Sequence, residues 1–358
     1  MIQPPNYLLG IQPYLPGKPI EELERELGIP HSIKLASNEN PVGPSPAAVK
    51  AVQGSFSDIN RYPDGAGYYL KQGLAAKLDV STDELILGNG SNELLDIAVR
   101  TFMKTGDSAV MAAPSFVVYA MAVQSVGGRP VQVPLRDFTH DLAAMAEAIT
   151  PETKMVFVAN PNNPTGTINK KVEFDALMGR VTGDMLVVID EAYFEYVIEA
   201  DYADSMKYLW SDKNVLVLRT FSKIYGLAGL RIGYGIGKKE ILTNMNRIRE
   251  PFNTNTIAQR AALAALGDED HVKRSREVNE TGKKYLYEEL AALRMTYVPT
   301  HANFIFMPVD DAMAMYQGLL KQGVIVRPMG PKAIRVTIGM PKENRRFIDA
   351  LKNVSAKK

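Results

Sequence analysis

Seven short apolar runs alternate with longer amphipathic segments through the first two thirds of this 358-residue chain. The runs are rich in β-branched residues, and the segments between them are long enough to form helices. Strands that are apolar on both faces must be covered by helices on both sides, so the pattern predicts a mainly parallel α/β sheet. The runs cover residues 85–87, 109–111, 131–133, 155–159, 185–189, 215–218 and 232–236.

Beyond residue 250 the pattern changes. Pro251 ends a helix predicted over 240–249, and the segments that follow predict a second, smaller α+β domain. We expect an N-terminal arm over residues 1–30 with a helix over 20–27, a large domain over 31–254 and the small domain over 255–358. The expected elements of the small domain are helices over 257–266, 270–293, 311–322 and 343–353, and strands over 304–307, 324–326 and 334–338.

Composition argues against several classes of protein. Lys and Arg total 41 against 40 Asp and Glu, so the net charge of +1 predicts neither a nucleic-acid nor a membrane partner. The chain has no cysteine, which excludes disulfides and thiolate metal sites, and its four histidines are scattered, so we expect no metal. The first residues lack a basic flank before an apolar run, and Pro114 interrupts the longest apolar stretch. We therefore expect a cytoplasmic enzyme.

Lys223 lies among apolar residues and glycines in residues 220–234, just after an apolar run. Lysine is rarely buried unless it is paired or reactive, and loss of solvent favours the neutral, nucleophilic amine, which can condense with an aldehyde. Thr220, Ser222 and Arg231 nearby are residue types that bind phosphate. The alternative is a surface lysine on a glycine-rich turn.

Asp190 and Glu191 follow another apolar run, at the carboxyl end of a predicted strand, where open α/β sheets bind ligands. A buried carboxylate there can keep a pyridine nitrogen protonated and make the ring an electron sink. The alternatives are an acidic metal-binding pair or a helix cap formed by Asp190.

Two loops rich in asparagine and glycine also follow apolar runs. Residues 160–166 form either a plain turn or a loop that presents an asparagine amide to a ring oxygen. Residues 88–93 open a helix predicted over 92–102, whose first backbone N–H groups can bind phosphate. This second loop lacks the third glycine of a dinucleotide fingerprint, and its alternative is an ordinary strand–helix turn.

Together and in this order, the four segments resemble those of the fold-type I pyridoxal-phosphate aminotransferases, over about residues 8–353. The Ser-Lys pair followed by Gly-Leu-Ala-Gly-Leu-Arg is the most specific part. Residues 37–45, 61–64 and 249–255 are similar to the branch of this family that acts on histidinol phosphate. The resemblance implies a large domain with a mixed, mainly parallel sheet between helices, and pyridoxal 5'-phosphate as cofactor.

The resemblance also implies roles for the candidate residues. Lys223 would form an imine with the cofactor aldehyde and move the substrate proton, and Asp190 would pair with the ring nitrogen. Asn163 and Tyr193 would hydrogen-bond the phenolic oxygen of the ring, and Phe116 would stack on its face, for which any aromatic ring suffices. The cofactor phosphate would be held by the backbone of Ser91 and Asn92 and by the side chains of Thr220, Ser222 and Arg231.

The substrate pocket is implied in the same way. Arg335 is a lone cation in an apolar run, and a buried cation needs an anion. It would clamp the carboxylate or phosphate of the substrate through its bidentate guanidinium. Asn38, Tyr14 and Arg346 would complete that pocket, although Arg346 is equally explained as a solvated helix residue.

Two aromatic residues have roles of a different kind. Tyr62 would reach the cofactor phosphate of a second subunit, which implies a homodimer with shared active sites. Tyr119, three residues after Phe116, is expected to pack in the core.

The resulting hypothesis is transamination in histidine biosynthesis, between L-histidinol phosphate and 2-oxoglutarate, which gives imidazole acetol phosphate and L-glutamate. An aromatic amino-acid aminotransferase and a phosphothreonine-type decarboxylase share the same scaffold. A nicotinamide-dependent oxidoreductase built on residues 88–93 or 233–237 would leave Lys223 unexplained, and its glycine spacing is wrong. No essential catalytic group is missing, which argues against a non-catalytic binding module.

Overall fold

A computed structural model describes residues 2–356 of the chain. Its strands are β1 (Ile33–Lys34), β2 (Leu85–Gly88), β3 (Ser108–Ala113), β4 (Arg129–Pro134), β5 (Thr153–Ala159), β6 (Leu186–Asp190), β7 (Asn214–Thr220), β8 (Gly233–Gly237), β9 (Phe304–Pro308), β10 (Val324–Ile325), β11 (Arg327–Pro328) and β12 (Ala333–Thr337). Its helices are α1 (Asn6–Leu9), α2 (Ile20–Leu27), α3 (Pro46–Gln53), α4 (Tyr68–Leu78), α5 (Ser91–Phe102), α6 (Val118–Ser125), α7 (Leu142–Glu147), α8 (Lys171–Met178), α9 (Met206–Leu209), α10 (Lys239–Met245), α11 (Thr256–Leu266), α12 (Glu269–Ala292), α13 (Ala312–Leu320) and α14 (Pro341–Ser355).

A seven-stranded sheet in the order β2-β8-β7-β6-β5-β3-β4 forms the centre of the molecule. Strands β4, β3, β5, β6 and β7 are parallel to one another, whereas β8 is antiparallel to both β7 and β2. A loop with one short 3-10 turn joins β7 to β8. The predicted mixed, mainly parallel sheet is therefore confirmed.

The sheet is apolar on both faces, as the continuous apolar runs require. Val187, Ile189 and Val217 belong to the core on one face, and Val188 and Leu216 belong to the core on the other. Successive residues of a strand point to opposite faces, so this alternation fixes which side chains of β6 and β7 can share a site.

A further core lies in the C-terminal part of the chain. The antiparallel sheet β11-β12-β9 and helices α12, α13 and α14 contribute to it, and the short parallel pair β1–β10 adds Leu35 from the N-terminal side. Helix α11 follows residue 255 but places Ala258 and Ala262 in the core of the seven-stranded sheet. The domain division at residues 254 and 255 stays a prediction.

Side-chain caps begin the helices that follow the large sheet. Asn255 accepts a hydrogen bond from the Ala258 backbone N–H at 2.7 Å, and Asp268 accepts one from His271 at 3.1 Å. These caps satisfy N–H groups that a helix start leaves without a partner, so the breaks at residues 255 and 268 follow from the sequence. Within residues 2–356, no helix is both long and apolar enough to span a membrane.

Candidate active site

A cavity of about 350 Å³ opens where β5, β6 and β7 end. The cavity is lined by loops of the large sheet, by the N-terminal arm and by residues of β11 and β12. This is the carboxyl edge of the parallel strands, where the sequence predicts a ligand. The predicted site residues that line it are Tyr14, Asn38, Ser91, Asn92, Phe116, Asn163, Asp190, Tyr193, Thr220, Ser222, Lys223, Arg231 and Arg335.

Lys223 lies in the turn that follows β7. Its half-buried amine donates a hydrogen bond to the Ser37 carbonyl oxygen at 3.2 Å and lies 5.5 Å from the centre of the Tyr193 ring. Gly226 allows this turn to form, because its φ is +70° and a Cβ there would lie 2.2 Å from the Gly43 carbonyl oxygen. The amine is thus held inside the cavity rather than on a surface turn.

Asp190 ends β6 with its carboxyl group inside the protein. Burial raises its pKa, while hydrogen bonds from the Tyr119 hydroxyl, at 2.8 Å, and the Ala192 backbone N–H, at 3.1 Å, oppose that rise. Two donors hold the carboxyl group in one orientation. Its remaining lone pairs can accept a hydrogen bond from a protonated ring nitrogen.

Tyr119 was expected to pack in the core, and its ring does so. It is 1% exposed and stacks on Phe157 with 5.0 Å between ring centres. Its hydroxyl, however, reaches Asp190, and its ring meets Phe116 edge-on at 5.6 Å. Tyr119 therefore contacts two residues predicted to bind the cofactor, a role that its apolar surroundings in the sequence did not indicate.

Four polar side chains meet on the opposite wall of the cavity. Asn38 donates its amide hydrogen to the Tyr193 hydroxyl at 2.9 Å, and Arg335 donates to the Asn163 amide oxygen at 2.6 Å. A second nitrogen of Arg335 donates to the Ala36 carbonyl oxygen at 2.8 Å, and its buried Nε has no partner among the described residues. Burial lowers the pKa of Arg335, as expected for a cation that is removed from water.

The amino end of α5 forms a cradle suited to an anion. Gly90 has a φ of +80°, and a Cβ there would lie 2.8 Å from a nitrogen of Arg231; a Cβ on Gly233 would lie 2.4 Å from the Ser91 backbone nitrogen. Ser222, which carries a hydroxyl, also lines the cavity. Backbone N–H groups, a hydroxyl and a guanidinium are the donors that bind phosphate.

Arg327, to which the sequence patterns assign no role, also lines the cavity. It pairs directly with Arg335 across β11 and β12, donates to the Leu15 carbonyl oxygen at 2.6 Å and lies 5.2 Å from the centre of the Tyr14 ring. Two cations opposite each other in a sheet repel, so an anion between them would stabilise the pair. Only the register of β11 with β12 reveals this arrangement.

Two predicted site residues lie outside the cavity. The Arg346 guanidinium donates to the backbone carbonyl oxygens of His31 and Gln322, so the structure does not bring it to the substrate pocket. Tyr62 is 82% exposed and stacks on Phe252 at 4.8 Å between ring centres. An aromatic side chain this exposed is available to a second subunit.

The residues present fit pyridoxal 5'-phosphate. The amine of Lys223 can meet an aldehyde, the fixed carboxyl of Asp190 can face a ring nitrogen, and the cradle of Gly90 and Arg231 leaves space that a side chain at position 90 or 233 would fill. Phe116, half-buried, lies beside Tyr119 where a ring can stack.

Comparison with known proteins decides the family. The family profile of the class I and II aminotransferases matches residues 30–351. The chain belongs to this family. It is 53% identical to the histidinol-phosphate aminotransferase of Moorella thermoacetica over 98% of this chain and 92% of that protein. It is 46% identical to a histidinol-phosphate aminotransferase of Nitrosococcus oceani over 96% of this chain and 95% of that protein.

Solved structures agree with the family and confirm the fold-type I architecture of this aminotransferase. The histidinol-phosphate aminotransferase of Sinorhizobium meliloti in complex with pyridoxal-5'-phosphate is similar with a TM-score of 0.92 and 29% identity, over 100% of this chain and 99% of that one. A single mutant of the aspartate aminotransferase of Thermus thermophilus is similar with a TM-score of 0.86 and 25% identity, over 99% and 100%. Membership of this family excludes the nicotinamide-dependent oxidoreductase alternative.

Proposed function

We propose that this aminotransferase transfers an amino group between L-histidinol phosphate and 2-oxoglutarate in histidine biosynthesis, with pyridoxal 5'-phosphate as cofactor. The assignment of the substrate rests on the facing pair Arg327 and Arg335 in the cavity, which is separate from the cradle of Arg231. One substrate carries a phosphate and the other carboxylates, and a guanidinium binds both kinds of anion through two parallel hydrogen bonds. The names of the relatives support the same substrate.

When bound, the cofactor supplies the carbonyl that exchanges for the amino group and a ring that withdraws electrons. The hydrogen bond to Ser37 holds the Nζ of Lys223 inside the cavity. This Nζ moves a proton at the substrate α-carbon. Asp190 keeps the ring nitrogen protonated, and Tyr193 and Asn163 orient the ring from the wall where Asn38 and Arg335 fix them.

We also expect a homodimer in which Tyr62 reaches the site of the second subunit. The exposed, stacked pair of Tyr62 and Phe252 supports this expectation, and Tyr68 and Tyr69, a few residues after Tyr62 in the sequence, are exposed as well, because exposed apolar surface marks interfaces. The substrates are small metabolites, and we expect the enzyme to act on them in the cytoplasm.

A substrate panel tests the proposed reaction. With 2-oxoglutarate as amino acceptor, kcat/KM is measured for histidinol phosphate, tyrosine, phenylalanine and aspartate. We expect histidinol phosphate to lead by about tenfold or more, since its phosphate can engage both guanidinium groups. A higher kcat/KM for tyrosine or phenylalanine would instead favour the aromatic aminotransferase, which the comparisons do not favour.

A further inference from the structure

A buried ion pair lies next to the cofactor site but outside its cavity. Both Nε and Nη2 of Arg219 lie 2.8 Å from one carboxylate oxygen of Glu191, and the two side chains are 7% and 1% exposed. The ring of Phe194 covers the guanidinium with its centre 3.7 Å from Cζ. Neither charged residue lines the cavity, so neither contacts a substrate there.

Each member of the pair is a chain neighbour of a site residue. Glu191 follows Asp190, and Arg219 precedes Thr220 in β7. Because successive side chains alternate, Asp190 and Thr220 share one face of the sheet while Glu191 and Arg219 share the other. The pair thus joins β6 to β7 directly behind the two residues that are directed toward the cofactor.

The same carboxylate is linked to a third strand. The hydroxyl of Tyr202 lies 3.5 Å from the second oxygen of Glu191 and donates to the carbonyl oxygen of Asn160 at 2.5 Å. Asn160 directly follows β5 and begins the loop that carries Asn163. Phe194 directly follows Tyr193. The network therefore reaches the backbone that holds every ring-contacting polar residue of the proposed site.

Stability alone is a weak reason for such a pair. Removing two charges from water costs much of what their attraction returns, and apolar residues of similar size often replace a buried pair without loss of stability. What an apolar pair cannot supply is a single fixed geometry between two strand ends. Loss of that geometry matters at a site where small misplacements reduce the rate strongly.

We infer that Glu191 and Arg219 are positioning residues, which set the spacing of Asp190, Thr220 and Lys223 around the cofactor from behind the sheet. This inference rests on the proposed function. It is tested with the double variant Glu191→Leu/Arg219→Met, in which no uncompensated charge is left buried. A second variant, Tyr202→Phe, removes only the link to Asn160.

The matched control is an ion pair between β5 and the start of β6, at the opposite edge of the sheet from the cavity. Lys154 of β5 lies 2.7 Å from Asp184, which precedes β6, and the pair is exposed. Lys154→Met breaks it without approaching the cavity. We expect this variant to behave as the wild-type enzyme in every measurement below.

Five quantities are measured for each variant: the Tm of the cofactor-free chain, the Kd for pyridoxal 5'-phosphate, the pH midpoint of the visible absorption band of the holoenzyme, kcat and KM. For the double variant we expect a Tm within a few degrees of wild type, a Kd raised about tenfold, a shifted pH midpoint, and kcat lowered by about tenfold to a hundredfold with KM changed much less. Tyr202→Phe should show the same changes at smaller size.

A double variant with wild-type Kd, pH midpoint and kcat would overturn the inference, and so would a variant that loses activity only in proportion to lost folded protein. If the double variant does not fold, Tyr202→Phe decides by the same readouts. A wild-type chain that fails to bind pyridoxal 5'-phosphate, or fails to use histidinol phosphate, would instead contradict the proposed function.

Discussion

At Asp190, burial and hydrogen bonding act on the carboxyl group in opposite directions. Burial raises its pKa, and the hydrogen bonds from Tyr119 and Ala192 limit that rise. A carboxyl group in this balance binds a protonated ring nitrogen strongly, because the pair is formed away from bulk water. The electron-withdrawing power of the cofactor therefore depends also on the residues that hydrogen-bond to Asp190.

Tyr119→Phe removes one donor from Asp190 and leaves the stacked ring in place. A hydrogen bond to a charged group contributes about 1.5–3 kcal/mol, so we expect Kd for pyridoxal 5'-phosphate to rise by about tenfold or more. Equilibrium dialysis measures this change. Tyr208→Phe is the matched control, since its hydroxyl donates to the exposed Asp175 at 2.7 Å; an equal effect in both variants would contradict the role of Tyr119.

Lys223→Ala removes the amine that moves the proton. We expect turnover to fall by about 10²–10⁴-fold or more, while the Asp190 carboxyl and the cradle still bind the cofactor without a covalent bond. Absorbance before and after borohydride reports the covalent link, and a coupled glutamate assay reports turnover. Lys207→Ala, at an exposed position, serves as control. Wild-type turnover in Lys223→Ala would refute the mechanism.

At the scale of elements, the sequence predicts the helices and strands that depend on a local residue pattern. The apolar runs became strands β2 to β8, and the predicted helix over 20–27 has the observed bounds of α2. The strand predicted over 324–326 is observed over 324–325 as β10, and a separate strand, β11, follows at 327–328, because the two strands pair with different partners, β1 and β12. The pairing of β1 with β10 joins Ile33 to Val324, 291 positions apart, and no local pattern contains it.

The candidate site divides in the same way. Lys223, Asp190 and Asn163 follow apolar runs, so their common edge could be inferred. Arg327 could not, because its role depends on its register with Arg335. Arg346 was assigned by resemblance, and its contacts with backbone oxygens near β1 and β10 could be seen only in the folded chain.

The turn after β7 requires glycine at position 226. Gly226→Ala introduces a side chain at a φ of +70° and a contact of 2.2 Å with the Gly43 carbonyl oxygen. We expect a loss of about 1–3 kcal/mol in the free energy of unfolding. Gly229→Ala in the same loop meets no atom within 4 Å and is the control. Denaturant titration compares the two, and equal stability would contradict the assigned strain.

At the scale of the whole molecule, Glu195 links stability to pH. Burial raises its pKa from 4.5 to about 8, and one of its oxygens has no partner among the described residues. Between these two values the unfolded chain releases a proton that the folded chain retains, so this group makes the protein less stable as pH rises through that interval. The nearby charges are those of Arg219, Glu191 and Arg276.

Glu195→Gln removes this dependence. We expect the variant to gain in Tm over the wild-type protein at about pH 8.5 and to gain much less at about pH 4, where Glu195 is mostly protonated in both the unfolded and the folded forms. Thermal denaturation at the two pH values measures the difference. A constant offset between variant and wild type at both pH values would show that Glu195 does not titrate in this range.

The proposed dimer makes a prediction about mixtures. If Tyr62 completes the site of the other subunit, a heterodimer of Lys223→Ala and Tyr62→Ala contains one site with both native residues. We expect co-expressed, differently tagged chains to regain a substantial share of wild-type activity, although each variant alone is impaired. Heterodimers that remain as impaired as the parent variants would contradict shared sites.

The close approach of β8 to the start of α5 has a consequence for protein engineering. No amino acid other than glycine fits at position 233, because the smallest side chain would lie 2.4 Å from the Ser91 nitrogen. A library intended to change the substrate range should therefore hold this position constant and vary Tyr14 in the arm, which borders the same cavity and is 53% exposed.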